Sequence, residues 1–139
     1  MNIFLGLIVN NLYQFFIIGL FASFGAMLRY FLVLLFPFNF FIMNGVLIAN
    51  IVGCFLIGIV LYLDSQYQIM SQAIKLGIVV GFLGSLTTFS SFGAQFFSFI
   101  EEKLFLKAFL HVSITVFLSL VSIYLGYWLM SLLLSRFFS

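Results

Sequence analysis

Of 139 residues, 65% are hydrophobic and only 6% are charged. A soluble domain carries about 25% charged residues, so this chain cannot clothe a globule in polar side chains and reads as an integral membrane protein. Its formal net charge of +2 is small and dispersed, which speaks against a nucleic-acid partner.

A spanning helix needs about 20 apolar residues. Four stretches of that kind are expected, at about 12–36 (ending before Pro37), 40–63, 73–99 and 105–134. Short connections join them at Pro37–Asn39, Asp64–Gln72 and Ile100–Leu104. The expected fold is an all-α membrane protein, a single four-helix transmembrane unit over residues 1–139 with no soluble domain. No Lys or Arg precedes Arg29, so the N-terminus lacks the positive region of a cleaved signal peptide.

The first stretch holds Ala22 and Ala26 four residues apart, followed by Arg29. Small residues at this spacing let helix backbones approach closely in lipid. Arg29 lies well inside the apolar run. It either snorkels to the interface or acts as a cation that concentrates anions at a pore mouth.

The second stretch repeats the small-residue spacing with Gly45, Ala49 and Gly53. Asn50, near its middle, either ties helices together by hydrogen bonding or points amide N–H groups at an anion. Cys54, the single cysteine, has no intrachain partner and reads as a buried structural thiol.

The third stretch carries Gly77, Gly81 and Ser85 at the same spacing and then the run Gly81-Phe82-Leu83-Gly84-Ser85-Leu86-Thr87-Thr88-Phe89-Ser90-Ser91-Phe92. Lipid supplies no hydrogen bonds, so backbone that leaves regular helix at this depth must be buried in protein or line a wet cavity. A helix broken near its middle is therefore expected, with the hydroxyls of Thr88 and Ser91 facing something polar. Phe89, Phe92, Phe96 and Phe99 form a stripe at helical spacing. Ring edges are positive, and Phe89 and Phe92 sit beside the hydroxyls, so these two read as anion-facing and Phe96 and Phe99 as packing.

On the fourth stretch His111, Thr115, Ser119 and Ser122 share one face. Such a stripe faces protein or water rather than lipid. With no Cys, Asp or Glu at ligand spacing, His111 is not expected to bind a metal.

Orientation signals nearly cancel. With four spans, Lys75 and Arg136 fall on one side and Lys103 and Lys107 on the other, joined by Arg29 if it reaches that interface. Orientation follows Lys/Arg asymmetry in short loops, so two copies inserted in opposite senses, an antiparallel dual-topology dimer, are expected. No Asp or Glu lies within a span, which argues against a small four-helix proton-coupled exporter, since that chemistry needs a buried carboxylate. No nucleotide loop or nucleophile–base pair is visible, so no enzymatic activity is expected.

The Gly81–Phe92 run resembles the third-helix signature of the Fluc/CrcB fluoride channels. Gly25-Ala26-Met27-Leu28-Arg29-Tyr30 resembles that family's first-helix motif, and Gly45–Gly53, centred on Asn50, its second. Thr115 and Ser119 fall where the family has fourth-helix hydroxyls. The resemblance covers essentially the whole chain. It implies a passive fluoride-selective channel of the cell inner (plasma) membrane that exports fluoride from the cytoplasm and so limits its toxicity. Its partners would be fluoride, the bilayer and a second copy or homologous subunit. Asn50, Phe89 and Phe92 would match pore residues, and Arg29 the aqueous vestibule. Backbone carbonyls around Gly84 and Thr87 of both subunits would match a structural Na⁺ site. Two positions depart from the pattern: His111 stands where a tyrosine is expected, and Val46 replaces a common hydroxyl residue. The departures leave open a non-conducting chain, or half of a heterodimeric channel whose partner supplies better pore residues.

Overall fold

The computed structural model describes residues 2–39, 43–68 and 70–137. Its helices are α1 (Asn2–Leu35), α2 (Gly45–Tyr67), α3 (Gln72–Leu76), a π-helical segment (Gly77–Leu83), the short turn α4 (Gly84–Leu86), α5 (Phe89–Glu101) and α6 (Phe105–Phe137). There is no strand among the described residues. Four segments are long and apolar enough to cross a membrane: Asn11–Leu35, Gly45–Tyr67, Gln72–Glu101 and Phe105–Arg136. Helix α1 begins at Asn2 rather than near Leu12, although its membrane-suited part starts at Asn11. Phe40, the expected start of the second stretch, lies outside the described residues; α2 starts at Gly45.

Local chemistry sets the ends of these helices. Pro37 cannot continue α1, and the Gly45 amide donates to the Phe36 carbonyl at 2.7 Å, tying α1 to the start of α2. Asn44 caps α2: its Oδ1 accepts from the amides of Val46 (3.0 Å) and Leu47 (3.3 Å) and satisfies donors that a helix start leaves orphaned. Ser71 does the same for α3 through Ile74. Across the second connection, Lys75 and Asp64 form an ion pair. Both are partly exposed, so the pair contributes little stability.

Packing follows the small residues. Helix α2 packs chiefly on α6, and α1 on the π-helical segment. A Cβ on Gly77 or Gly81 would run into Ile17, Ile18 and Phe21 of α1, and one on Gly45 into the α1 backbone at Leu32 and Val33. The tightest approach was not anticipated. A Cβ on Gly58 would strike the Ile123 carbonyl, and one on Gly126 the Phe55 carbonyl. These two glycines face each other's helices and set how closely α2 and α6 approach. Ser85 Oγ donates to the Ala22 carbonyl at 2.8 Å, pinning α4 to α1.

Large apolar side chains such as Phe15, Phe24, Met27, Phe109, Phe117 and Tyr124 point outward. On a chain this apolar such a surface meets lipid or another protein rather than water.

Candidate functional site

The site is organised by two residues that are not helical. Thr87 (φ −77°, ψ 152°) and Thr88 (φ −151°, ψ 121°) are extended, between α4 and α5. In a continuous helix the Thr88 amide would bond the Gly84 carbonyl. Instead it donates to Asn50 Oδ1 on α2 at 2.8 Å. Asn50 Nδ2 in turn donates to the Thr88 carbonyl at 3.3 Å. An amide side chain carries both a donor and an acceptor, so it can answer the N–H and C=O of one residue together. The two readings of Asn50 are thus not exclusive. It ties α2 to the interruption, and one of its two N–H groups is left for another acceptor.

Thr88 also starts α5. Its Oγ1 accepts from the Ser91 amide at 3.1 Å and lies within hydrogen-bonding distance of the Ser90 and Ser91 hydroxyls, at 3.1 and 3.2 Å. The Thr88 and Ser91 hydroxyls are therefore part of a helix cap. Thr87 Oγ1 bonds back to the Leu83 carbonyl at 2.9 Å.

A crevice of about 320 Å³ opens beside the interruption, lined by Asn50, Thr88, Phe89, Phe92, Thr115 and Ser119, with Cys54 and Thr87 at its side. The Phe89 and Phe92 ring centroids are 5.5 Å apart, tilted by 48°. Phe89 is 84% exposed on the isolated chain, whereas Phe92 is 7% exposed. Phe92 stacks on His111 with centroids 5.0 Å apart and planes 28° from parallel. Phe99, fully buried, also lies against the imidazole, with centroids 5.6 Å apart and planes tilted by 55°.

His111 is wholly buried, and no hydrogen bond of ordinary geometry reaches either ring nitrogen. Thr115 Oγ1 and Gln95 Oε1 are also buried without a partner. Leaving a buried polar group unsatisfied costs about 1–3 kcal/mol. Several such atoms between α5 and α6 mark where water or a small polar species belongs.

Other expected residues lie outside the crevice. Arg29 is half-buried on α1 and does not line it. Ser91 sits in the cap, and His111 lies behind Phe92. Ser122 bonds its own helix at the Leu118 carbonyl, 2.7 Å away. Gly84 and Thr87 line a smaller recess of about 180 Å³, with Cys54 and Val79. The Gly84 carbonyl has lost its usual amide partner to Asn50, and Gly84 itself is exposed. A freed backbone carbonyl on an open face suits a hard alkali cation. No cluster of three or more His, Cys, Asp or Glu able to hold a metal exists among the described residues.

Two lining or neighbouring residues were missed or misjudged. Cys54 is not a buried structural thiol: it is half-buried and lines both recesses. Gln95, buried three residues beyond Phe92, was passed over inside an aromatic stripe. The signal available was a polar side chain at helical spacing within that stripe.

Comparison with known proteins points the same way. The family model described as "CrcB-like protein, Camphor Resistance (CrcB)" matches residues 16–127. A protein of Methanococcus maripaludis named fluoride-specific ion channel FluC is 41% identical over 110 residues, covering 79% of this chain and 89% of its own length. Proteins with the same name from Psychrobacter arcticus (39% over 122 residues; 87% and 99% coverage) and Methanocaldococcus jannaschii (37% over 110 residues; 79% and 88%) are similar over most of their length.

Proposed function

This chain belongs to the CrcB family, and we infer from that membership that it is a multi-pass plasma-membrane subunit of a fluoride-specific ion channel. It is not an enzyme. Transport is passive. A potential of 100 mV, inside negative, is worth about 2.3 kcal/mol per charge. That sustains roughly a fiftyfold outward ratio of a univalent anion.

The observation that carries the reading is the crevice beside the Asn50–Thr88 junction. Its wall combines a free Asn50 N–H, the hydroxyls of Thr115 and Ser119 and the rings of Phe89 and Phe92. The start of α5, which supplies Thr88, Phe89 and Phe92, carries the positive end of a helix dipole. These are weak, multiple contacts. They replace part of an anion's hydration without holding it, as conduction requires. Arg29 is assigned to the approach, where a half-buried cation raises local anion concentration. His111 and Ser91 shape the path indirectly, through the Phe92 ring and the α5 cap.

The functional unit is proposed to be an antiparallel dimer, with the third span broken at Thr87–Thr88 in both copies. The 84% exposure of Phe89 supports this, since a pore ring left on an open face needs a second wall. The freed Gly84 carbonyl and that of Thr87, paired about a two-fold axis, fit a structural Na⁺. Bound there, the ion would supply a fixed positive charge at membrane depth. The direct test is fluoride efflux from liposomes holding only this chain. Efflux abolished in Phe89→Ile supports the reading; no efflux from well-folded wild-type protein rejects a self-sufficient channel.

A further inference from the structure

Three polar side chains are buried in the seam between α5 and α6 with atoms that no protein group answers. They are Gln95 Oε1 on α5 and, on α6, both ring nitrogens of His111 and the Thr115 hydroxyl. The three residues are 9%, 0% and 5% exposed. Their placement is mutual. Phe92 and Phe99 stand one turn before and one turn after Gln95 on α5, and both rings lie against the imidazole, so Gln95 is level with His111. Thr115 follows His111 by one turn of α6. Nearly all buried polar groups in native proteins find a partner, and an ordered water or ion accounts for many of those that find none in the protein.

We propose that Gln95, His111 and Thr115 share one buried water, which fixes His111 and through it the tilt of Phe92, so that Gln95 is a positioning residue for the anion path. The inference rests on the channel reading above. The donor set selects the occupant. Gln95 Oε1 only accepts hydrogen bonds, whereas a neutral imidazole has one donor and one acceptor nitrogen. Water can donate to the first and pair with the second, and about three hydrogen bonds are usual for a buried water. An anion would be repelled by the Gln95 oxygen. A buried cation needs a paired charge, and the acids of α5, Glu101 and Glu102, lie exposed at its end. The bridge matters because stacking alone lets a ring slide and turn in its own plane, while a hydrogen bond at its rim holds it. Phe92 rests on that imidazole, 5.0 Å away and 28° from parallel, and its positive edge rather than its face must meet the anion.

The test uses the full chain and the fact that His111 is its only histidine. With ¹⁵N-labelled histidine, NMR of the protein in detergent gives a single set of imidazole signals. A cross-peak between that ring and a long-lived water is expected in wild type. In Gln95→Leu, which has no oxygen to hold the water, the cross-peak should vanish and the ring-nitrogen signals should shift. In liposomes, Gln95→Leu should assemble like wild type yet pass fluoride at least about threefold more slowly, the scale of one neutral hydrogen bond. Should that variant fail to assemble, Gln95→Met, flexible and equally without an amide oxygen, carries the same expectations. A wild-type ring with no water cross-peak overturns the proposal. So do ring-nitrogen signals that are the same with and without Gln95, or fluoride efflux at the wild-type rate in the folded variant. If folded wild-type protein passes no fluoride at all, the channel reading fails and the positioning role with it; the NMR measurement then still decides whether Gln95 and His111 share a water.

Discussion

Asn50 and Thr88 lie 38 positions apart in sequence and exchange two hydrogen bonds, amide to Oδ1 at 2.8 Å and Nδ2 to carbonyl at 3.3 Å. Lipid can replace neither bond. The interruption of the third span therefore depends on a side chain from the second.

Replacing Asn50 separates its two duties. Asn50→Leu leaves the Thr88 N–H and C=O unanswered, at about 1–3 kcal/mol each. That variant should lose thermal stability in detergent as well as fluoride efflux. Asn50→Asp keeps an acceptor for the Thr88 amide but removes the N–H donors and adds negative charge. It should assemble normally on size exclusion and still fail to pass fluoride. Efflux at the wild-type rate in Asn50→Asp would show that the free N–H has no role.

The aromatic stripe separates in the same way. Phe89→Ile and Phe92→Ile keep volume near the crevice but delete the positive ring edge. Fluoride efflux should fall at least about tenfold in each, because weak contacts of this kind are what carry the anion. Phe92→Ile should also cost stability, because Phe92 stacks on His111. Phe96→Ile, one turn beyond Phe92 but not lining the crevice, should leave efflux nearly unchanged. Equal losses at all three positions would make the stripe packing throughout.

The helix pair α2 and α6 offers a test of the fold alone. Alanine favours a helix over glycine by about 1 kcal/mol, so Gly93→Ala, with open space at the Cβ position, should be neutral or stabilising. Gly126→Ala would push its Cβ into the Phe55 carbonyl oxygen. Forcing an extra carbon into a close-packed contact costs about 1–3 kcal/mol. Its melting temperature in detergent should drop below wild type, and the two variants should move in opposite directions.

Apolar length made the four spans legible before any coordinates, and a run rich in Gly, Thr and Ser marked where the third would be special. Asn50 stood out because a polar side chain is costly in lipid, and Phe89 and Phe92 because they flank the hydroxyl run; the three line one crevice. What stayed hidden depends on relative placement. Gly58 and Gly126 set the α2–α6 distance, yet each is one glycine among 11 until the facing helix is known. Cys54 looks inert in a one-dimensional apolar run, and only the rotation of α2 brings it to the crevice wall. The π-helical stretch Gly77–Leu83 left no clear mark either, since one extra residue per turn does not change composition.

Orientation gives a prediction outside the crevice. Lys75 and Arg136 fall on one side and Lys103 and Lys107 on the other, joined by Arg29 if it reaches that interface. Reporters fused at the C-terminus should therefore appear in both cytoplasmic and external populations, because loop Lys/Arg asymmetry is too small to choose. Adding two lysines to the Asp64–Gln72 connection should drive nearly all copies to place that loop inside. Such a chain alone should lose efflux, and regain it with an oppositely biased partner. A wild-type chain found in one orientation only would remove the basis for an antiparallel pair of identical copies.

The Thr87–Thr88 interruption leads to the last prediction, on Na⁺. The Thr88 amide is spent on Asn50, so the Gly84 carbonyl on the open face of α4 is free to meet a cation. Hard alkali ions bind backbone oxygens and discriminate by the number and field strength of the dipoles around them. Replacing Na⁺ on both sides of the liposome by N-methylglucamine, which is too large to enter such a site, should slow fluoride efflux. Returning Na⁺ should restore the rate. Pro at position 88 would delete the amide that binds Asn50, so Thr88→Pro is a poor probe. Thr88→Val keeps that amide and alters only the cap hydroxyl, and it should retain the same dependence on Na⁺. Identical rates with Na⁺ and with N-methylglucamine, in protein extensively washed free of Na⁺ before reconstitution, would mean that the interruption is held by Asn50 alone.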